Sequence, residues 1–286
     1  MVAPSLTSPS DLSPSDLAPP SPAPAAAELP MAFQQFALTS KVAVVTGGAQ
    51  GLGFAMASSL CSAGLAGIAI IDINPLVGEP AACSLTKQFG TNAKFYRVDV
   101  TDELAMKSAF ATINEELGGI DVVVCSAGVV DNYNAEDYPY AKFQRLMNIN
   151  LGGSFLAAQS AFPYMKARGG GSIIFIGSMS GHIVNFPQPQ IAYNASKAGV
   201  IHMMKSFAVE WAKYKIRCNS ISPGYMHTGL IESFDQNWVN TWKSMTPMAR
   251  MGEPHELQGV ALWLASNASS FVTGTDVAVD GGYTAM

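Results

Sequence analysis

The sequence predicts an α/β fold: one doubly wound parallel sheet in a single domain. Three observations carry this. Short apolar runs alternate with helical stretches from residue 41 to the end. The runs are nearly continuous in Val and Ile, as expected of strands covered on both faces. The stretches between them are long enough to be crossover helices, which parallel neighbours require.

The elements follow in order. Residues 41–46 read as the first strand and 50–63 as the helix after it. A second strand at 67–72 leads to a helix at 75–89. A third strand at 94–99 precedes a helix at 101–117. Residues 120–125 form the fourth strand, with a long helix over 139–167. The fifth strand is 171–177. The helix around Tyr193 comes next, where Val200/Ile201, Met204, Phe207/Ala208 and Trp211/Ala212 repeat at three-to-four spacing. A sixth strand at 216–221, a helix at 254–265 and a short strand at 276–279 complete the pattern. Between Gly224 and Pro254 the chain reads as irregular. It holds Tyr225, Phe234, Trp238 and Trp242, which suits a lid over a substrate.

Composition narrows the function. The chain has 286 residues, 49% hydrophobic and 13% charged, with a net charge of −5. Basic residues are few and scattered, which argues against a nucleic-acid surface. Cys61, Cys83, Cys125 and Cys218 lie far apart and read as reduced thiols. Neither they nor His182, His202, His227 and His255 show metal-ligand spacing, so no metal is expected. No apolar run reaches the roughly 18–20 residues that span a bilayer. Residues 1–36 read as a disordered tail rich in Pro, Ser and Ala, with Ser-Pro-Ser-Asp-Leu twice in tandem at 8–12 and 13–17. The tail lacks the charged start and apolar core of a signal peptide. Residues 37–286 are the expected domain, and cytoplasm the expected location.

Two groups of residues carry chemistry. The first is Thr46-Gly47-Gly48-Ala49-Gln50-Gly51-Leu52-Gly53, placed after a strand and opening a helix. Gly47, Gly51 and Gly53 allow a tight turn and close approach to a pyrophosphate. Gln50 and Leu52 lie where the helix N-terminus offers N–H groups to phosphate. Asp72 ends the second strand, 19 residues after Gly53. Its carboxylate suits the two hydroxyls of an adenosine ribose and repels a 2′-phosphate, so NAD is expected over NADP. The alternative is a strand-end aspartate that only caps the next turn. Asp99 and Val100 are expected beside the adenine, and Ser126-Ala127-Gly128 to let the backbone pass close to the cofactor.

The second group is Tyr193 and Lys197. Positions i and i+4 share a helix face. A free phenol has a pKa of roughly 10 and is a poor base at neutral pH. A fixed ammonium beside it favours the phenolate. Lowering the pKa to near neutrality takes about 4 kcal/mol and yields a general acid/base. By itself the spacing is equally that of a surface pair.

The glycine pattern, Ser126-Ala127-Gly128, Asn150, Ser178, Tyr193-x-x-x-Lys197 and Pro223-Gly224, taken together in this order, resemble the short-chain dehydrogenase/reductases over residues 41–286. The resemblance implies a Rossmann-type domain, usually a tetramer or dimer. It implies Tyr193 as acid/base and Lys197 as the cation that lowers its pKa and binds the nicotinamide ribose. It implies Ser178 on the substrate oxygen, and Asn150 holding a water of a proton relay. Pro223, Gly224 and Thr228 would meet the nicotinamide end. Cys125-Ser126 stands where the family often has two asparagines. The Ser178–Tyr193 separation is two residues longer than is common, with the extra length around residues 185–190.

That longer form is similar to the fungal polyol dehydrogenases, among them arabinitol 2-dehydrogenases, L-xylulose and sorbose reductases and mannitol 2-dehydrogenases. Glu210-Trp211-Ala212-Lys213-Tyr214 and Ser222-Pro223-Gly224-Tyr225 fit the same branch. Many of its members use NADP, and Asp72 resembles the NAD-using side. The implied reaction is hydride exchange between NAD(H) and a polyol/ketose pair such as D-arabinitol/D-ribulose. His182, Asn185, Gln188, Gln190 and Tyr225 could bond substrate hydroxyls, Gln188 and Tyr225 foremost beside Ser178 and Tyr193. A reductase of an apolar or acyl-carrier ketone and a non-catalytic NAD-binding protein are the alternatives.

Overall fold

The computed structural model describes residues 30–229 and 235–286. Seven strands make its centre: β1 Val42–Thr46, β2 Gly67–Asp72, β3 Asn92–Arg97, β4 Val122–Cys125, β5 Gly171–Ile176, β6 Ile216–Pro223 and β7 Asp276–Val279. They form one parallel sheet in the order β3-β2-β1-β4-β5-β6-β7. The chain runs outward from β1 to β3, then returns to the other side of β1 with β4. That reversal opens a crevice above the carboxyl ends of β1 and β4, where open α/β sheets bind ligands.

Helices cover both faces: α1 Met31–Gln34, α2 Gly51–Ser62, α3 Pro75–Phe89, α4 Glu103–Leu117, α5 Tyr140–Met147, α6 Gly153–Ala167, α7 Ile191–Trp211, α8 Gln236–Met245 and α9 Gln258–Ala265. Successive strand residues point to opposite faces, so the apolar runs feed two cores. Val44, Ile71, Val123 and Phe175 pack with Phe110, Met165, Met204 and Phe207 of α4, α6 and α7. Val45, Ile70, Val124 and Ile174 pack with Met56, Leu60, Leu85 and Leu264 of α2, α3 and α9. Burying one such side chain stabilises by roughly 1.5–3 kcal/mol, and truncating Phe110 costs about 3–5 kcal/mol.

The fold differs from expectation in five places. β3 starts earlier and stops at Arg97, because Asn92–Arg97 pairs residue for residue with Gly67–Asp72. Asp99 and Val100 therefore fall in the turn after it. There the Asp99 carboxylate accepts from Thr101 N (2.9 Å) and Thr101 Oγ1 (2.8 Å).

The long helix at 139–167 is broken by a π-turn at Asn148–Gly152. Such a turn inserts one residue into the helical ladder and is common at functional sites. Here it turns Asn150 inward, to 1% exposure.

The stretch after Gly224 contains α8. Asp235 caps it by accepting from Asn237 N at 2.8 Å, and its own Val239 and Trp242 are buried. The lid reading for Trp238 and Trp242 thus falls on a helix, while Phe234 lies outside the described residues. Finally, Pro254–Leu257 is a 3-10 turn leading into α9.

Within the expected tail, Met31–Gln34 forms α1, and Gln35 O accepts from Ala268 N at 3.1 Å. Residues 1–29 lie outside the described part. No helix among the described residues is long and apolar enough to cross a membrane. Cys61, Cys125 and Cys218 are buried and Cys83 exposed, all as free thiols. Burial pushes Cys61 and Cys218 up to about 12, which leaves them inert near neutral pH.

Candidate active site

The glycine-rich turn sits directly above β1. A Cβ on Gly53 would stand 2.2 Å from Gly47 O, and one on Gly47 would stand 2.7 Å from Ala127 Cα. Both glycines are therefore required by close packing of this turn on α2 and on the loop after β4. Thr46 Oγ1 fixes that loop by accepting from Ser126 N (3.2 Å) and Ala127 N (3.3 Å).

Gly51 differs: its φ is +56°, and a Cβ there would meet nothing within 4 Å. It opens onto free space before the N-terminus of α2. No side chain caps that end, where Gln50 is extended and exposed. Uncapped N–H groups with the positive end of the helix dipole suit an anion. These residues fit a dinucleotide pyrophosphate. Leu52 packs on the α2 side of the core.

Asp72 is half-buried at the end of β2, and its Oδ1 accepts from Asn74 N at 3.2 Å. Asn74 in turn caps α3 through Leu76 N. The turn-capping role is thus real, and it holds the carboxylate at the crevice edge. In register with Asp72 stands Arg97 on β3, a cation that reading the segments one at a time does not bring here. Val100 is buried under α6, where a Cβ on Gly153 would come within 2.6 Å of it. On the other side of the crevice, Gly224 N donates to Val279 O at 3.0 Å. Pro223 is buried and Thr228 half-buried.

Ser178, Tyr193, Lys197 and Asn150 come from three elements onto one spot. A Cβ on Gly128 would lie 3.3 Å from Asn150 Oδ1 and 3.8 Å from Lys197 Nζ. Asn150 clasps the loop after β4: Oδ1 accepts from Val129 N (2.8 Å) and Nδ2 donates to Val129 O (3.0 Å). Its remaining proton goes to Ser196 Oγ at 3.1 Å, and Ser196 Oγ donates to Tyr193 O at 2.8 Å. The side chain is committed to protein partners. Ser196 joins the π-turn to α7, a link with no signal in the spacing.

Ser178 Oγ lies near enough to the Tyr193 phenol to oppose the rise in its pKa, and its own proton goes to Ser180 Oγ at 3.0 Å. It also accepts from Ser180 N at 3.1 Å, fixing the turn after β5.

The electrostatics differ from expectation. Lys197 is 6% exposed, and its Nζ donates to Ile176 O at 2.7 Å. It stands 5.5 Å from the centre of the Tyr193 ring. Burial lowers the Lys197 pKa to about 8. The Tyr193 pKa is raised rather than lowered: burial dominates, and the Ser178 hydrogen bond only opposes it. In this structure burial sets the direction for both groups. The phenol is held protonated, as a general acid needs.

Beyond Ser178 lies a polar wall. Tyr225 Oη accepts from Gln188 Nε2 (2.9 Å) and Asn185 Nδ2 (3.2 Å), and its ring meets that of Tyr283 edge-on, 5.5 Å between centroids. Its ring stacks on Trp242, 4.4 Å between centroids and 10° between planes. Trp242 Nε1 donates to Gln188 Oε1 at 2.9 Å. Gln188 and Tyr225, expected on the substrate, therefore have protein partners that tie α8 to the segment before Tyr193. Gln190 bonds to Gln188 at 3.5 Å, and His182 Nε2 to Asp276 at 2.8 Å. Tyr283 joins this wall from near the C-terminus.

Known proteins share this architecture. A family model described as enoyl-(acyl carrier protein) reductase matches residues 47–284. A probable NADP-dependent mannitol dehydrogenase of Yarrowia lipolytica is 39% identical, covering 87% of this chain and 90% of its own. A ribulose-forming D-arabinitol 2-dehydrogenase of Scheffersomyces stipitis is 41% identical, covering 87% and 95%. The crystal structure of a short-chain type dehydrogenase/reductase from Mycobacterium marinum superposes with a TM-score of 0.83 at 39% identity, covering 89% and 99%. A seven-stranded parallel sheet, a glycine cradle at its switch point and this degree of likeness make the chain a member of the short-chain dehydrogenase/reductase family, in its fungal polyol dehydrogenase branch.

Proposed function

We propose that this protein transfers a hydride between NAD(H) and a secondary alcohol or ketone, as a polyol/ketose pair such as D-arabinitol/D-ribulose. The convergence of Ser178, Tyr193, Lys197 and Asn150 beside the glycine cradle carries the reading. The cofactor, when bound, takes up or supplies the hydride. Ser178 Oγ orients the reacting oxygen, and Tyr193 Oη gives it a proton in reduction or takes one in oxidation. Lys197 Nζ leaves Ile176 O to face the phenol and the ribose. Asn150 holds the loop after β4 so that Gly128 stays close to Lys197.

The preference for NAD rests on Asp72. Two unit charges 4 Å apart near a protein surface interact by about 4 kcal/mol, so a carboxylate there opposes a 2′-phosphate. Arg97 in register with it pulls the other way, and the mannitol dehydrogenase relative carries NADP in its name. Initial rates on pentitols and hexitols with NAD and with NADP test the reading, together with Asp72→Ser. Turnover of a pentitol with NAD, and at least about tenfold better use of NADP by Asp72→Ser, is the expected result. Wild-type activity confined to NADP overturns the preference. Activity confined to ketones without further hydroxyls overturns the substrate class. A cytoplasmic homo-oligomer, tetramer or dimer, is the accompanying proposal. Exposed Phe155 on α6 and Val209 on α7 give it apolar surface to cover, and light scattering reads the mass.

A further inference from the structure

Of the five polar side chains between His182 and Tyr225 suited to a hydroxylated substrate, four have their hydrogen bonds directed at protein partners. His182 faces Asp276, Gln188 serves Tyr225 and Trp242, Gln190 meets Gln188, and the Tyr225 hydroxyl accepts two bonds. The fifth is Asn185, only 7% exposed. Its Nδ2 donates to Tyr225 Oη at 3.2 Å, and its Oδ1 is buried with no partner. Turning the amide over does not remove the deficit. It would place Oδ1 against Tyr225 and leave the Nδ2 protons without an acceptor. A buried amide short of one partner is costly, and native structures rarely keep one without a use.

Two more amide oxygens are in the same state, Asn132 Oδ1 and Asn194 Oδ1. Asn132 lies in the loop that Asn150 clasps at Val129, and Asn194 directly follows Tyr193. The loop after β4, the segment before α7 and α7 itself thus each carry an amide oxygen lacking a donor. A ligand rich in hydroxyl groups supplies donors; an apolar ketone does not.

We infer that Asn185 is a specificity-determining residue whose amide receives a substrate hydroxyl other than the reacting one, while its other end stays anchored on Tyr225. Anchoring through Tyr225 and Trp242 makes the position rigid, because α8 and the segment before Tyr193 share that network. The inference rests on the polyol reading above and sharpens it: selectivity for a polyol over a simple alcohol resides at this amide. A site built to bond a hydroxyl rejects the analogue lacking it, since the protein group is then left unpaired.

The test crosses two substrates with three proteins. kcat/KM is measured with NAD for D-arabinitol, or whichever pentitol is turned over best, and for 2-pentanol, which carries only the reacting hydroxyl. The proteins are wild type, Asn185→Leu and Asn185→Asp. Wild type is expected to prefer the polyol. Asn185→Leu loses about 10- to 100-fold on the polyol and changes less than about threefold on 2-pentanol, so the preference collapses. Asn185→Asp keeps acceptor oxygens and retains most of the preference. NADH titration and thermal melting report folding, and the ratio of the two substrates within each variant is insensitive to the fraction active. Equal losses on both substrates in Asn185→Leu, or no loss on the polyol, overturn the inference while wild-type polyol turnover leaves the proposed function standing. A wild type inactive on every polyol overturns both.

Discussion

Replacing Lys197 by methionine removes a pH dependence of stability that its buried charge dictates. The ammonium is nearly inaccessible and donates to Ile176 O, and its pKa falls from 10.5 to about 8 through burial. The unfolded chain holds the proton up to about pH 10.4. Below pH 8 both states are charged, and the folded state bears the full desolvation penalty. Between about 8 and 10.4 the folded lysine is neutral while the unfolded one is still protonated. The unfolded state then binds more protons, so stability rises with pH. Over that interval the gain amounts to about 3 kcal/mol, at 1.36 kcal/mol for each pH unit between the two values. Methionine has similar length and no charge, so the variant lacks this dependence. Urea unfolding of both proteins at one concentration, at pH 7, 8, 9 and 10, gives the difference in which other titrations cancel. Wild type should gain on Lys197→Met by roughly 2–3 kcal/mol between pH 8 and pH 10. A difference independent of pH would show that Lys197 is solvated like a surface lysine and would refute the reasoning. NADH-linked turnover of the variant should be lost at every pH.

Two further substitutions probe the frame of the site. Gly53→Ala places a methyl 2.2 Å from Gly47 O, and the turn must move. NADH affinity, read by fluorescence titration, should weaken by about 10-fold or more while the far-UV spectrum is unchanged; undiminished affinity would mean the turn is not at the pyrophosphate. Asn150→Ala strips Val129 N and O of their side-chain partners in a buried setting. It should lower the unfolding free energy by about 3 kcal/mol, roughly 10 °C in melting temperature, and reduce kcat more than it raises KM. An unchanged melting temperature would place the clasp among dispensable contacts.

The central strands were legible because two-sided burial writes itself into the sequence as unbroken Val and Ile. Val45 and Val44 feed different cores, yet both must be apolar. What depends on register or on a single side chain was not legible. The π-turn at Asn148–Gly152 shifts the helical pattern of residues 139–167 by a single residue, too little to stand out in so apolar a stretch. α8 hides because its apolar face is two tryptophans and a valine among polar residues, although Asp235 before them is a cap signal. Arg97 meets Asp72 only through the pairing of β2 with β3, and Tyr283 meets Tyr225 only after the C-terminus folds back.

The Tyr193–Lys197 pair shows the same limit in energetic form. Spacing places the cation near the phenol but is silent on how much water either keeps. With water excluded, each group drifts toward its neutral form, the lysine downward and the tyrosine upward. A site in that condition is set to donate a proton to a carbonyl. Accepting one from an alcohol needs the phenolate, which a cation closer than the 5.5 Å between Lys197 Nζ and the ring centre would favour. The motif in the sequence therefore names the partners, while burial and the Ile176 carbonyl that holds the ammonium set the state in which each of them rests.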